Sequence, residues 1–129
     1  MIQIFLIDDH PLAINGIGAW LCTTGRFAIS GTAKNLGEAS ILIRHLDPLP
    51  HIVILDVALG GEDGLDFIPM LKEICAERNA PVPGILVCSM YEDPFLVKRA
   101  LDSGAKAYVA KTAESGEIID AIETILNNE

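Results

Sequence analysis

Five short apolar runs alternate with five longer stretches of helical periodicity along this 129-residue chain. The apolar runs predict strands at residues 2–7, 27–33, 51–56, 85–88 and 107–110. When strands and helices alternate in this way, the strands form a parallel sheet and the helices cover both of its faces. The pattern therefore predicts one doubly wound α/β domain, and we expect that domain to occupy residues 1–129.

Capping residues and prolines set the limits of the predicted helices. Pro11 suits the first turn of the first helix, and Asn35 with Glu38 three residues later forms a capping-box-like pair at the second. The third helix is predicted over residues 65–78, where Pro69 would cost about 3 kcal/mol in a helix interior. The cost disappears if Asp66 is the cap, so we expect a late start or a bend.

The third apolar run ends in a way that marks a functional position. Residues 51–56 follow Pro50, end on Asp56 and precede the glycine pair at residues 60–61. A continuous apolar run of this length is typical of a strand that is buried on both faces. Reactive groups of open α/β sheets lie just beyond the carboxyl ends of such strands. Asp56 has that position, although an Asp there is also often a turn former or a helix cap.

The flavodoxin-like strand order 2-1-3-4-5 is the best-populated arrangement for a parallel sheet of this size. In that order the first, third, fourth and fifth strands end at one edge of the sheet. The polar residues at those ends are Asp8, Asp9, Asp56, Ser89 and Lys111. Taken singly, the aspartates of the first loop or Ser89 could be helix caps, and Lys111 could be a solvated side chain. Their convergence on one edge predicts a single site.

The charges of the predicted site limit what it can bind. Carboxylates about 4 Å apart repel each other by about 1 kcal/mol in water and by several times more where they are partly buried. Lys111 supplies one positive charge, and Mg²⁺ suits the rest because it takes oxygen ligands, keeps several waters and accepts phosphate oxygens. Zinc is disfavoured because only His10 stands beside the acids, and we expect His10, His45 and His51 to be loop or helix-end residues.

A cation, a hydroxyl group and a lysine beside a carboxylate are what phosphoryl transfer to an aspartate requires. Together with Tyr108, three residues before Lys111, this set resembles the response-regulator receiver domain of two-component signalling. The resemblance covers essentially the whole chain. Residues 9–12 with Gly16, residues 88–93 and residues 104–108 are similar to the LuxR-type (NarL/FixJ) branch of that family.

The resemblance implies a role for each acid of the site. Asp56 would accept a phosphoryl group from the phosphohistidine of a histidine kinase or phosphotransfer protein. Asp9 would bind Mg²⁺ directly, Asp8 would bind it through water, and the backbone carbonyl of Ala58 would be a further ligand. Such a domain is not a conventional enzyme, because it catalyses only its own phosphoryl transfer and dephosphorylation.

The remaining residues of the resemblance concern the phosphoryl group and its consequences. Ser89 and Lys111 would contact the phosphoryl oxygens, and Tyr108 would change rotamer on activation, although Tyr108 could also be plain core. Ala58 and Tyr91 would flank the approach of water, and we expect slow self-dephosphorylation because Ala58 cannot orient a water. We also expect a weak, phosphorylation-dependent homodimer.

Three positions depart from the usual pattern of the family. Gly60 stands where Pro is usual, so we expect a more mobile loop after Asp56. Thr112 replaces the Pro that follows the lysine in many receivers, and Ile14 stands where this branch often has Arg. None of these positions belongs to the acid, hydroxyl and lysine set.

Rival functions need residues that this sequence does not have. A dehalogenase-type hydrolase would have a second Asp two residues after its nucleophile, where Ala58 stands here. A nucleotide-binding enzyme would have a glycine-rich phosphate motif after the first strand, and none occurs. The alternative that stays open is a degenerate receiver that acts only as a protein-interaction module, although such a domain has normally lost an acid or the lysine.

Composition limits the partners and the compartment. A net charge of −9 argues against contact with nucleic acid, so we expect DNA binding only through a helix-turn-helix effector domain that this chain lacks. No apolar run is long enough to cross a membrane, and residues 1–7 lack the basic flank of a signal peptide. The three cysteines form no CxxC pair, which favours reduced thiols and a cytoplasmic location.

Overall fold

The computed structural model describes residues 1–111 and 115–128, so Thr112 lies outside the described residues. In chain order the elements are β1 (Ile2–Ile7), α1 (Pro11–Cys22), β2 (Phe27–Ala33), α2 (Leu36–Arg44), β3 (Ile52–Leu55), β4 (Ala58–Leu59), β5 (Glu62–Asp63), α3 (Phe67–Glu77), β6 (Gly84–Ser89), α4 (Pro94–Ser103), β7 (Ala107–Ala110) and α5 (Ser115–Asn127). The five main strands form a parallel sheet in the order β2-β1-β3-β6-β7. This is the predicted flavodoxin-like order.

Side chains that alternate along the strands enter two separate apolar layers. In β1, Phe5 and Ile7 pack in the layer with α2, α3 and α4, whereas Ile4 and Leu6 pack in the layer with α1 and α5. All four residues of β3 are buried. A sheet that is covered on both faces needs continuous apolar strands, which explains the runs in the sequence. The two layers fix the positions at which the strands end.

The third helix starts late, as Pro69 predicted. A 3-10 turn, Gly64–Asp66, comes first, and α3 begins at Phe67 with Asp66 as its N-terminal flanking residue. Pro69 therefore lies in the first turn of α3, where its missing N–H removes no helical hydrogen bond. The Asp66 side chain makes no capping bond; Asp63 instead accepts from the Leu65 N–H at 3.0 Å and caps the 3-10 turn.

The segment after Asp56 forms a small hairpin that the sequence pattern did not predict. Strands β4 and β5 pair antiparallel, with Leu59 opposite Glu62 and two glycines between them. Gly60 and Gly61 have φ values of 55° and 95°, the left-handed conformation that a two-residue hairpin turn requires. A proline at residue 60 could not adopt that φ, which gives this departure from the family a structural reason. The expected mobility of the loop stays a prediction.

The helices differ from the predictions mainly at their ends. Helical spacing predicts an apolar face of the second helix that contains Leu42 and Leu46. Helix α2 instead ends at Arg44, before Leu46, and Leu42 is exposed. The apolar spacing predicts a helix over residues 95–101 that stops near Gly104, whereas α4 extends beyond those residues at both ends and is followed by Gly104. Among the residues described, no helix is both long enough and apolar enough to span a lipid bilayer.

Candidate functional site

The carboxyl ends of β1, β3, β6 and β7 bring the predicted residues to one edge of the sheet. Asp56 follows β3 directly, and its N–H donates to the Ile7 carbonyl at 2.9 Å, which continues the pairing of β1 with β3. The Lys111 N–H donates in the same way to the Ser89 carbonyl at 2.7 Å, at the end of β7 and β6. The Asp8 N–H likewise donates to the Ala33 carbonyl at 3.0 Å, and together these backbone bonds hold Asp8, Asp56, Ser89 and Lys111 at the ends of their strands.

Lys111 joins two of the acids. Its ammonium Nζ lies 2.7 Å from Asp8 Oδ2 and 2.8 Å from Asp56 Oδ2. Both carboxylates are buried, with Asp56 only 3% exposed. The side chain of Lys111 is itself largely buried, so the surrounding water screens these contacts little. One cation therefore serves two adjacent anions in a poorly solvated site.

The electrostatic balance of the site is visible in two pKa shifts. Burial raises the pKa of Asp56, and the nearby Asp8 charge adds to this, while Lys111 and the Ala58 N–H act in the opposite direction. Burial lowers the pKa of Lys111, but its hydrogen bonds to Asp56 and Asp8 outweigh that cost, so the pKa is raised overall. The ammonium thus stays charged, but it does not fully offset the burial of the Asp56 carboxylate, which leaves room for a further cation to stabilise that charge.

Asp9 supplies the observation that bears most directly on cation binding. Its Oδ1 atom is buried and has no hydrogen-bond partner among the described residues. Ligand atoms of Asp8, Asp9, His10 and Asp56 all lie within 4.8 Å of one another. A buried carboxylate oxygen without a donor is costly, and a divalent cation with oxygen ligands would satisfy it. The residues present therefore fit the predicted Mg²⁺.

The hydroxyl and aromatic residues form a second part of the site. Ser89 is fully buried, and its Oγ accepts from the Tyr91 N–H at 3.2 Å. The Tyr108 hydroxyl donates to the Tyr91 carbonyl oxygen. The Ala58 N–H donates to Asp56 Oδ1 at 3.3 Å. Tyr91 is thus tied through its backbone to both Ser89 and Tyr108, while its side chain is 59% exposed.

Two contributors to the site escaped the sequence analysis. His10 was assigned no role, yet its Nδ1 lies 2.9 Å from Asp9 Oδ1 and 3.2 Å from Asp8 Oδ1. Gly64 lies so close to the chain at Asp56 that an added Cβ would be 1.8 Å from the Asp56 carbonyl oxygen. The adjacency of His10 to two acids was a signal for the first. A glycine nine residues after a strand gives no comparable signal for the second.

A salt bridge connects the hairpin to α4. Arg99 on α4 pairs with Asp63 at the end of β5, and Asp63 also caps the 3-10 turn before α3. At the other side of the hairpin, Glu62 accepts from the Leu36 N–H at the start of α2 at 3.1 Å. The loop that carries Ala58 is therefore held at both flanks by neighbouring helices.

Comparison with known proteins supports the resemblance to response-regulator receiver domains over almost the whole chain. The sequence profile of the response regulator receiver domain matches residues 4–123. The transcriptional regulatory protein LiaR of Bacillus subtilis is 31% identical over 129 residues, which cover 100% of this chain and 58% of LiaR. The chain thus spans little more than half of that relative.

Solved structures agree in fold. A LuxR-family two-component response regulator from Aurantimonas sp. matches with a TM-score of 0.83 and 29% identity, over 98% of this chain and 86% of the other. A response regulator from Burkholderia pseudomallei, solved with a phosphorylated aspartic acid, a calcium ion and citrate, matches with a TM-score of 0.77 and 25% identity. The match covers 99% of this chain and 73% of the Burkholderia chain.

Proposed function

This chain belongs to the response regulator receiver domain family, with LuxR-family relatives, and from that premise we propose that Asp56 is its phosphoacceptor. The phosphoryl group comes from the phosphohistidine of a sensor histidine kinase or phosphotransfer protein, or from a small phosphodonor. The observation that carries the proposal is the buried Asp56 carboxylate, which Lys111 holds at 2.8 Å beside a carboxylate cluster suited to a cation.

The transfer exchanges one bond to phosphorus for another. An oxygen of Asp56 attacks the phosphorus atom in line, the O–P bond forms as the N–P bond breaks, and the electron pair of the broken bond stays on the imidazole nitrogen of the donor. Lys111, already aligned on Asp56, neutralises charge on a transferred oxygen. Ser89 Oγ accepts from the Tyr91 N–H and can at the same time donate its hydroxyl hydrogen to another transferred oxygen.

The cation belongs to the same proposal. Asp9 and Asp56 would bind Mg²⁺ directly, Asp8 through water, and Ala58 through its backbone carbonyl. When bound, the ion supplies positive charge to the phosphoryl oxygens. The role of the chain is to hold these carboxylates together against their repulsion, which Lys111 offsets through its contacts with Asp8 and Asp56. The cytoplasmic location expected from the cysteines fits a partner kinase there.

The consequence of phosphorylation is a change of interaction surface. Ser89 would move toward the phosphoryl group, and Tyr108 would leave its bond to the Tyr91 carbonyl for the vacated space. Phosphorylation shifts this two-state equilibrium only by its differential interaction with the two states. In a longer regulator the output would be control of transcription through a helix-turn-helix domain. A degenerate receiver, which binds partners without phosphorylation, is the second candidate.

The deciding experiment uses acetyl phosphate with Mg²⁺ and intact-mass analysis. We expect one phosphoryl adduct on the wild type, none on Asp56→Asn, and an adduct that is unaffected in the control Asp66→Asn, whose side chain lies outside the site. Excess EDTA and Asp9→Ala should each abolish the adduct. An adduct that persists in Asp56→Asn would refute the phosphoacceptor. The absence of any adduct would favour the phosphorylation-independent module.

A further inference from the structure

His10 contacts the acids of the site, but the proposed phosphoryl transfer gives it no role. Its Nδ1 lies 2.9 Å from Asp9 Oδ1 and 3.2 Å from Asp8 Oδ1. Its backbone N–H donates to the same Asp8 oxygen at 2.9 Å, which fixes the residue beside the carboxylates. His10 flanks the start of α1, yet its side chain makes no capping bond. The imidazole is therefore not engaged by the helix.

The contact between His10 and Asp9 is close without being a hydrogen bond. Although the two atoms are 2.9 Å apart, Asp9 Oδ1 has no partner of suitable geometry in the described chain. Neighbouring ligands of an octahedral ion with bonds of about 2.1 Å lie about 3 Å apart. The His10 nitrogen has that spacing from Asp9 Oδ1, an oxygen of a carboxylate proposed to bind the ion directly. The same nitrogen is hydrogen-bonded to Asp8 Oδ1 at 3.2 Å, a contact that it exchanges for the ion.

We infer that His10 is a nitrogen ligand of the divalent cation at this site and that it shifts the cation preference toward transition metals. This inference rests on the cation site of the proposed function. Carboxylate and carbonyl oxygens alone favour hard ions such as Mg²⁺, whereas an imidazole adds affinity for Co²⁺, Ni²⁺ and Zn²⁺. The side chain of His10 is 63% exposed, so its ring can turn toward an ion without disturbing the core.

The test compares Co²⁺ with Mg²⁺ by isothermal titration calorimetry at pH 8. His10→Ala should weaken Co²⁺ binding by about 10-fold or more, the loss typical when a group that supports a metal is removed, and should change Mg²⁺ binding by less than about 2-fold. His10→Asn, which retains a side chain suited to the start of α1, should behave in the same way. The matched control is His45→Ala, an exposed histidine at the end of α2 that is remote in the fold from the acids.

The visible absorption of bound Co²⁺ provides a readout that does not depend on activity. Imidazole is a stronger-field ligand than carboxylate or water, so the bands of the wild type should lie at shorter wavelength than those of His10→Ala. Equal losses of Co²⁺ and Mg²⁺ affinity, an unchanged Co²⁺ affinity, or identical spectra would each overturn the inference. The acetyl phosphate experiment in Mg²⁺ judges the proposed function separately, because it needs no transition metal.

Discussion

Gly64 is the uncharged residue whose replacement should disturb the phosphoacceptor most. An added Cβ would lie 1.8 Å from the Asp56 carbonyl oxygen and 3.0 Å from the Val57 Cα, both of them backbone atoms that cannot rotate away. The Gly64 N–H also donates to the Val57 carbonyl at 2.6 Å, so the two segments cannot separate without losing that bond. The chain after Asp56 must therefore shift if Gly64 is replaced.

We expect Gly64→Ala to lower the free energy of unfolding by at least the 1–3 kcal/mol, roughly, that overpacking typically costs. Urea denaturation followed by circular dichroism measures this. Gly16→Ala is the matched control, because a Cβ at residue 16 meets nothing within 4 Å and a helix interior favours Ala over Gly by about 1 kcal/mol. Equal stability of the two variants would contradict a close backbone contact between Gly64 and the Asp56 carbonyl.

We expect the lifetime of the phosphoryl group to depend on two residues that flank the approach of water. Ala58 has no amide or carboxylate to orient a water, so it cannot supply the assistance that is worth about 10²-fold or more in rate. Tyr91 is large, and its backbone is held by Ser89 and Tyr108. We propose that its ring covers the phosphoryl group and that self-dephosphorylation takes minutes or longer.

Phosphate release from the wild type, Tyr91→Ala and Ala58→Asn tests this proposal. Both substitutions should shorten the lifetime, the first by admitting water and the second by orienting it. The alternative is that the exposed ring of Tyr91 points into solvent and packs along α4. A lifetime that neither substitution shortens would favour that alternative.

At the scale of residues, chain position predicted part of the site. Parallel strands all end at one edge of a sheet, regardless of their side chains. This made four positions predictable: Asp8, Asp56, Ser89 and Lys111. The contact of His10 depends on the direction of one ring. The role of Gly64 depends on how closely two segments of the chain approach each other. Neither the ring direction nor this approach produces a repeating pattern in the sequence from which it could be predicted.

Among the helices, α2 has the clearest dependence on one side chain. Asn35 Oδ1 accepts from the Glu38 N–H at 2.8 Å and satisfies a donor that the helix itself leaves free. We expect Asn35→Ala to cost about 1 kcal/mol of stability and Asn35→Asp to restore it, since Asp offers the same acceptor and a favourable charge at the N-terminus. Thermal and urea unfolding of the three proteins provide the measurement. A stable Asn35→Ala would mean that packing alone holds α2.

The elements of the fold were predictable to different degrees. The strand runs and the late start of α3 followed from burial on both faces and from Pro69, which are local constraints. The hairpin after Asp56 has strands of only two residues, too short for alternation to be recognised. Its glycine pair was visible in the sequence, but glycines alone mark any turn. Its salt bridge to Arg99 depends on tertiary structure.

For the whole molecule, the question is how phosphorylation at one edge of the sheet changes an outer surface. Tyr108 on β7 links the residues after Ser89 to the neighbourhood of α4. On α4, Phe95 is 84% exposed and Leu101 is also exposed. On the opposite side, Leu12 of α1 is exposed, and α1 carries no charged residue. Either the surface of α4, β7 and α5 or that of α1 and α5 could form a symmetric dimer.

The last prediction distinguishes these two surfaces. We expect the phosphoryl mimic beryllofluoride, with Mg²⁺, to raise the sedimentation coefficient of the wild type in a concentration-dependent way. Because each chain carries a charge of −9, the dimer should strengthen as salt screens the repulsion. Phe95→Asp should abolish the shift if α4 forms the interface, and Leu12→Asp should abolish it if α1 does. Each variant is the control for the other, since both side chains are solvent-exposed and their replacement should not unfold the domain. Sedimentation that is identical with and without beryllofluoride would contradict a phosphorylation-dependent dimer on either surface.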